Sequence, residues 1–297
     1  MKYVFLTLAL TLLLSCEKEI KLEVNDQPSK FVVDASIENG QFPVVALSNS
    51  INYFSSISAE ELSNSFEHNA IITVSDGEKT STLKEYSFTD TSGYTVYYYT
   101  VDSSDFANLV TGAFQKQYQL NIQTKDGATY TATTTIPALA KKCDSMWWKP
   151  APYVDDTTLC VLVGTATDPP GLGNYVRYFT KVNSGRFLPG LQSAFDDQIV
   201  DGITYTIQFD PGWDKNSTVK PTADNGYGYV HRGDTITLKY CDIDKISYDF
   251  WNTWDFAYQS YGNPFSSPVK VLGNISNNAL GAFTGYAAQY LTIIIPK

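Results

Sequence analysis

Histidine and cysteine are scarce in this chain of 297 residues, which contains two histidines and four cysteines. So few histidines argue against His-based catalysis and against a multi-histidine metal site. Lysine and arginine number 21 against 31 acidic residues, which gives a formal net charge of −10. This balance disfavours nucleic acid and anionic membranes as electrostatic partners, because their phosphates attract basic side chains.

Apolar runs long enough for a membrane-spanning helix are missing as well, since such a helix needs roughly 18 residues or more. Val4 to Leu14 is a shorter apolar stretch that follows the positive charge of Lys2, and it predicts a signal segment over residues 1–15. The segment ends Leu13-Leu14-Ser15-Cys16. This ending resembles the lipobox of bacterial lipoproteins and implies that Cys16 is lipidated. A plain signal peptide that happens to precede a cysteine is the alternative.

Residues 16–29 form a charged stretch that begins Cys16-Glu17-Lys18-Glu19. We interpret it as an acidic tether, and it is similar to the signals that send lipoproteins of Bacteroidota to the cell surface. A simple linker is the alternative.

Three cysteines remain beyond Cys16, namely Cys143, Cys160 and Cys241. An odd number cannot form a closed disulfide framework, although one bridge among the three stays open. Cys160 lies in an apolar segment, where cysteine usually acts as a small buried hydrophobic residue.

Residues 30–138 show the alternation and turn residues of short strands. Phe31 to Ile37 alternate in polarity, and Asp126-Gly127 is a hairpin signal. About seven such strands predict an immunoglobulin- or fibronectin-like β-sandwich. Ser58 and Glu61 have the spacing of a capping box, which predicts a short helix between strands. Residues 106–110 are a second short helical patch.

Residues 139–297 predict a second β-rich domain, a sandwich or a barrel-like fold, with one amphipathic helix near residues 245–259. Asp244 is the expected N-cap, and Ile246, Phe250 and Trp254 form an apolar stripe at helical spacing. We expect the helix to plug an open side or end of the second sheet. The predicted strands lie near residues 159–166, 175–182, 199–209, 235–240, 269–275, 282–288 and 290–295.

A series of motifs follows a fixed order along the chain. It includes Leu14-Ser15-Cys16-Glu17, Lys30-Phe31-Val32-Val33-Asp34, Asp126-Gly127-Ala128-Thr129-Tyr130, Asp168-Pro169-Pro170-Gly171, Tyr248-Asp249-Phe250-Trp251 and Asn263-Pro264-Phe265. The series resembles a family of Bacteroidota outer-membrane lipoproteins classed as a domain of unknown function. Its members are similar to accessory proteins of TonB-dependent receptors and are often encoded beside one. The resemblance implies an outer-membrane location at the cell surface and a receptor partner, but it supplies no catalytic residues.

Candidate catalytic groups lie outside recognisable motifs. His68 and His231 are not accompanied by a nucleophile signature. The acidic pairs lie beside turns, which aspartate favours on conformational grounds; they are Asp155-Asp156, Asp196-Asp197 and Asp242 with Asp244. We therefore expect no enzyme activity, no cofactor and no metal centre, although carboxylates near Asp102 and near Asp201 leave a structural calcium open.

Aromatic residues are the more informative signal. Trp213 lies in a turn-like stretch, and Tyr227 and Tyr229 lie in a glycine-rich loop. Exposed rings on loops can stack on a sugar or pack against a protein partner, so these three are the expected contact residues. Filling of the core is the alternative, and it is the preferred interpretation for Trp251 and Trp254.

The sequence as a whole predicts a lipid-anchored outer-membrane lipoprotein, a non-catalytic accessory subunit of a TonB-dependent receptor. Its task would be nutrient capture or receptor assembly. The alternative is a free-standing surface lipoprotein that binds glycans or peptides.

Overall fold

The computed structural model describes residues 28–51, 58–89, 93–102, 104, 108–215, 217, 222, 226–260, 263, 265–267 and 269–297. The first half contains the strands β1 (Phe31–Glu38), β2 (Val44–Asn49), β3 (Ile71–Ser75), β4 (Thr80–Thr89), β5 (Thr95–Val101), β6 (Lys116–Gln123) and β7 (Thr129–Ile136). The second half contains β8 (Lys142–Pro150), β9 (Leu159–Thr167), β10 (Tyr175–Val182), β11 (Leu188–Phe195), β12 (Thr204–Phe209), β13 (Val230–His231), β14 (Thr235–Ile243) and β15 (Leu280–Ile294). Two helices, α1 (Ala59–Ser65) and α2 (Lys245–Ser260), complete the described elements. The predicted mainly β, sandwich-like fold with an amphipathic helix is confirmed.

The first half is one curved sheet in the order β1-β2-β5-β4-β3-β6-β7. Its strands alternate as the sequence predicts, so that Val33, Ala35 and Ile37 of β1 point into a core. The sheet curls until β7 reaches β15, where the backbone N–H of Gly285 donates to Thr134 Oγ1 at 2.8 Å. The curl encloses the core between opposite parts of the same sheet.

The second half is a sandwich of two sheets. Strands β11-β10-β14-β15 continue the large sheet, and a smaller sheet contains β12-β9-β13 with β8 paired to β9. Tyr178 and Tyr240 from the large sheet and Phe209 and Cys160 from the small one share a buried core. Cys143, Cys160 and Cys241 are buried free thiols, so no bridge joins them.

The long strand β15 joins the two halves. It pairs in parallel with β1 and antiparallel with β14, so the large sheet runs through eleven strands. The two predicted strands at 282–288 and 290–295 were wrong, because this segment is a single strand. No turn residue separates them. Gln289, which lies between the two predicted strands, accepts from Cys143 N and donates to the Cys143 carbonyl oxygen through its side-chain amide. The proposed division near residue 138 stays a prediction.

Other strand predictions in the second half also need correction. Residues 269–275 are not a strand, and the strand predicted at 199–209 begins only at Thr204. Strands β8 and β11 were not predicted. Pro189 and Gly190 lie inside β11, and such residues usually indicate a turn.

Both predicted helix caps are present. The Ser58 side chain accepts from Glu61 N, and the Glu61 carboxylate accepts from Ser58 N, which completes the capping box of α1. Asp244 accepts from Ser247 N at 2.8 Å at the start of α2. The second helical patch at 106–110 lies partly outside the described residues. No described helix is long and apolar enough to cross a membrane.

Helix α2 packs on the face of the large sheet that is turned away from the small sheet, against β10, β11 and β15. Alternation along β10 explains the arrangement, since Arg177 meets Trp251 of α2 whereas Val176 and Tyr178 point towards the small sheet. The helix thus covers a sheet face.

Candidate functional site

A cavity of about 310 Å³ opens at the edge of the second half. It lies between β11, the edge strand of the large sheet, and β12, the edge strand of the small one. The lining residues come from four strands, from the loop 196–203 and from the start of α2; they are Val176, Tyr178, Gln192, Ala194, Phe195, Asp196, Ile199, Val200, Tyr205, Ile207, Tyr240 and Tyr248. Edges between packed layers are common places for ligand sites, and this one is mostly apolar.

Aromatic rings form much of the wall. Tyr178 is stacked on Phe195 with ring centroids 6.1 Å apart, and Phe209 meets Tyr178 edge-on behind them. Gly190 on β11 makes room for this arrangement, because a Cβ atom there would lie 2.3 Å from the Tyr178 hydroxyl oxygen. The wall therefore depends on a glycine within a strand.

The mouth of the cavity carries a carboxylate, that of Asp196. Its Oδ2 accepts from the Tyr248 hydroxyl at 3.1 Å, and the Tyr248 ring is stacked on Tyr175 at 4.8 Å. Burial and the neighbouring Asp196 carboxylate raise the pKa of Tyr248 to about 12. A second depression, lined by Leu172, Gly173 and Tyr175, shares Asp196 and extends the site outward.

The inner end of the cavity holds an unsatisfied hydroxyl. Tyr240 is buried and lies near Tyr205, but its hydroxyl makes no hydrogen bond of normal geometry with any described residue. Almost none of the surface of this hydroxyl oxygen is accessible, and Tyr205 is the neighbour that interacts with it.

Aspartates lock the two loops beside the mouth, residues 168–174 and 196–203. Asp197 accepts from the backbone amides of Gly173 and Asn174, both at 2.8 Å. Burial acts to raise the pKa of Asp197, but the hydrogen bonds from these amides outweigh it and lower the pKa below its usual value. Asp201 likewise accepts from Gly171 N at 2.6 Å. Of the carboxylates suggested as calcium ligands, Asp197 and Asp201 thus accept from backbone amides, and the described residues hold no group of three or more His, Cys, Asp or Glu that could bind a metal ion.

A buried charge cluster fixes α2 behind the cavity. Asp255 accepts from Lys215 Nζ at 2.7 Å and from Ser193 N on β11 at 2.8 Å. Arg177 lies 3.3 Å from the ring centroid of Trp251 and donates to Ser193 Oγ. Ser193 is next to Ala194, which lines the cavity. The cluster therefore fixes the helix and this part of the cavity wall relative to each other.

The predicted contact residues lie outside this cavity. Trp213 and Tyr227 meet edge to face at 5.7 Å. They cover the outer edge of β11, where Trp213 N donates to Pro189 O and the Tyr227 hydroxyl accepts from Leu191 N. Tyr229 is half-buried in the same loop. Their contact with a ligand or partner stays a prediction, and Cys16 lies outside the described residues.

The histidines lie away from the cavity. His68 Nδ1 lies 2.5 Å from Glu85 Oε1, and His231 ends β13, where its carbonyl oxygen accepts from Asp234 N. Trp251 and Trp254, which the sequence assigned to the core, are half-buried on α2, with Trp251 against Arg177 and Trp254 beside Lys215.

Sequence reasoning missed the tyrosines of the cavity. Tyr178, Tyr205 and Tyr240 occupy inward positions of three different strands, and each appears in the sequence as an ordinary core residue. Only their pairing across the two sheets brings them together. Asp196 was noted as a carboxylate beside a turn, but nothing local indicated that it would lie at an aromatic cavity.

Comparison with known families gives one match. A family model described as a domain of unknown function (DUF4249) matches residues 17–291. A comparison with curated proteins finds no match.

Proposed function

The chain belongs to the family defined by the domain of unknown function DUF4249, and we propose that it is a lipid-anchored outer-membrane lipoprotein, an accessory subunit of a TonB-dependent receptor. In this role it captures a ligand at the cell surface and presents it to the receptor, without catalysing a reaction. The lipobox ending at Cys16 and the acidic tether after it support the anchoring.

The observation that carries the capture role is the cavity between β11 and β12. Its size suits a small ligand, its walls are aromatic and aliphatic, and its polar groups are few and convergent. The rim loops are held by Asp197 and Asp201, so the site is preformed. A preformed site loses little entropy on binding, which favours capture.

A free-standing surface lipoprotein that binds glycans or peptides is the second candidate. The same cavity favours it, because the described residues of this chain build the site without help from another subunit. The two candidates differ in whether a receptor is bound.

Affinity purification from detergent-solubilised outer membranes tests the proposal. A tag at the C-terminus follows Lys297, which is exposed. We expect a β-barrel receptor of the TonB-dependent class to copurify with the wild-type chain and to be lost with Cys16→Ser, which cannot be acylated. Recovery of the wild-type chain without a barrel protein would contradict the accessory role and favour the free-standing binder.

A further inference from the structure

We propose that the cavity between β11 and β12 binds an apolar group that carries a positive charge, as the amino-terminal residue of a short peptide does. This inference rests on the proposed function in so far as it names the ligand class that the capture site takes. Two features of the site support it: its apolar walls and its single carboxylate.

The walls and the rim select an apolar group. The cavity is lined mainly by tyrosine, phenylalanine and aliphatic side chains. Beside the mouth, Ile199 and Leu172 expose 92% and 70% of their surface on the two loops that aspartates lock together. Large apolar side chains held outward on fixed loops next to an apolar cavity are suited to contact with an incoming apolar ligand.

The carboxylate of Asp196 selects a positive charge. Among the described residues that line the cavity it is the only charged side chain, and its partners are neutral donors, the Tyr248 hydroxyl and Gln198 N. No lysine, arginine or histidine of the described residues forms an ion pair with it. The stacked rings of Tyr175 and Tyr248 lie beside it, and aromatic faces attract cations. The net charge of −10 also favours the approach of a cation.

Neutral and anionic polar ligands fit the cavity less well. A sugar fits less well, because its many hydroxyls need several directional polar partners and this lining offers few. The same reasoning disfavours an anion, since the lining contains no basic side chain.

Isothermal titration calorimetry on the full chain purified in detergent tests the inference, with blank titrations into micelles alone. The probes are dipeptide amides with leucine, phenylalanine or tryptophan at the amino terminus, each compared with its N-acetylated form. Acetylation removes the positive charge and keeps the apolar group. We expect at least one amide to bind and its acetylated form to bind about tenfold or more weakly, because the charged hydrogen bond to Asp196 is lost.

Three variants locate the effect. Asp196→Asn should remove most of the difference between the amide and its acetylated form, whereas Asp155→Asn makes the same change on an exposed turn and should leave it intact. Ala194→Leu adds volume to the lining and should weaken binding of both forms. Circular dichroism checks that each variant is folded.

Equal affinity for the two forms, absence of binding by every amide, or a preference that survives Asp196→Asn would overturn the inference, as would binding of a neutral oligosaccharide in place of the amides. Receptor copurification is read separately. A receptor recovered without amide binding leaves the accessory role standing and removes only the ligand class. Amide binding without a copurified receptor supports the ligand class and contradicts the accessory role.

Discussion

Aspartate side chains serve several different tasks in this chain. Asp196 lies at the cavity mouth with neutral partners, whereas Asp197 and Asp201 bind backbone amides and shape the rim. Asp242 accepts from the backbone amides of Ala140 and Lys141, where the chain passes from the first half to the second. Their sequence context, aspartate near a turn, is the same in each case.

Asp242 predicts a pH dependence of stability. Burial, which outweighs the amides and the Lys141 charge, raises the pKa of Asp242 to about 7 in the folded chain. A pKa above the unfolded value of about 3.9 means that the folded state holds the proton more tightly. Its contribution is therefore present below about pH 4 and is lost as the pH rises towards 7, at up to about 1.4 kcal/mol per pH unit.

Urea denaturation between pH 5 and pH 8 measures this effect. The free energy of unfolding of the wild type should fall across this range more steeply than that of Asp242→Asn, which keeps an acceptor for the amides and has no proton to lose. Asp155→Asn, on an exposed turn, should follow the wild type. Parallel pH profiles for wild type and Asp242→Asn would show that Asp242 is already charged when folded at pH 5.

At the scale of the element, the sequence predicted the features that depend on residues close together in the chain. The capping box at Ser58, the cap at Asp244 and the extent of α2 depend on residues within a few positions of each other, and all three are confirmed. The single strand β15 was missed, because its length depends on partners about 250 residues away in β1. Alternation within a segment shows which face is buried, but it does not reveal which distant strand the segment pairs with.

Helix α2 should depend strongly on its buried charge cluster. Asp255→Asn removes the charge that pairs with buried Lys215 and weakens the acceptor of Ser193. Because Lys215 would stay buried without its partner, we expect a loss of about 3 kcal/mol in the free energy of unfolding. Chemical denaturation measures it.

Asp249→Asn is the matched control on the same helix. Asp249 pairs with Lys245 one turn away at the surface, so this variant should stay close to the wild type. Similar stability for both variants would mean that Asp255 does not hold the helix on the sheet.

The β1–β15 pairing predicts a sensitive glycine. Gly281 has φ +98°, and a Cβ atom there would lie 1.9 Å from the Val33 carbonyl oxygen of β1. Gly281→Ala should cost about 3 kcal/mol in the free energy of unfolding, since both the backbone conformation and the strand contact are violated. Thermal or chemical denaturation measures the loss.

Gly77 is the control that separates the cost of the backbone conformation from the cost of the strand contact. It also has a positive φ, +87°, but a Cβ atom there meets nothing within 4 Å. Gly77→Ala should therefore cost only about 1 kcal/mol, from the backbone alone. Equal costs at the two glycines would argue against close packing of β15 on β1.

At the scale of the whole molecule, one sheet carries two main cores and a smaller cluster that contains Cys241 and Tyr286. The first core lies within the curl of β1 to β7, and the second lies between the sheets that hold Tyr178 and Phe209. The alternation of polarity and the turn residues predicted a β-rich chain with two domains, but they did not locate its cores. They did not predict the cavity, because the edges of β11 and β12 meet only after the two sheets have packed.

The proposed function joins this cavity to an anchor and a receptor. We propose that lipidation at Cys16 places the chain at the membrane, that the rim loops present an apolar and acidic mouth, and that a receptor takes over the ligand. Each part has its own test, but the link to the receptor is the central claim.

Crosslinking in intact cells, followed by purification of the tagged wild-type chain and mass spectrometry, tests that claim most directly. The account predicts crosslinked peptides between this chain and a β-barrel receptor of the TonB-dependent class, absent with Cys16→Ser. Crosslinks that join the chain only to itself or to proteins without a barrel would contradict it.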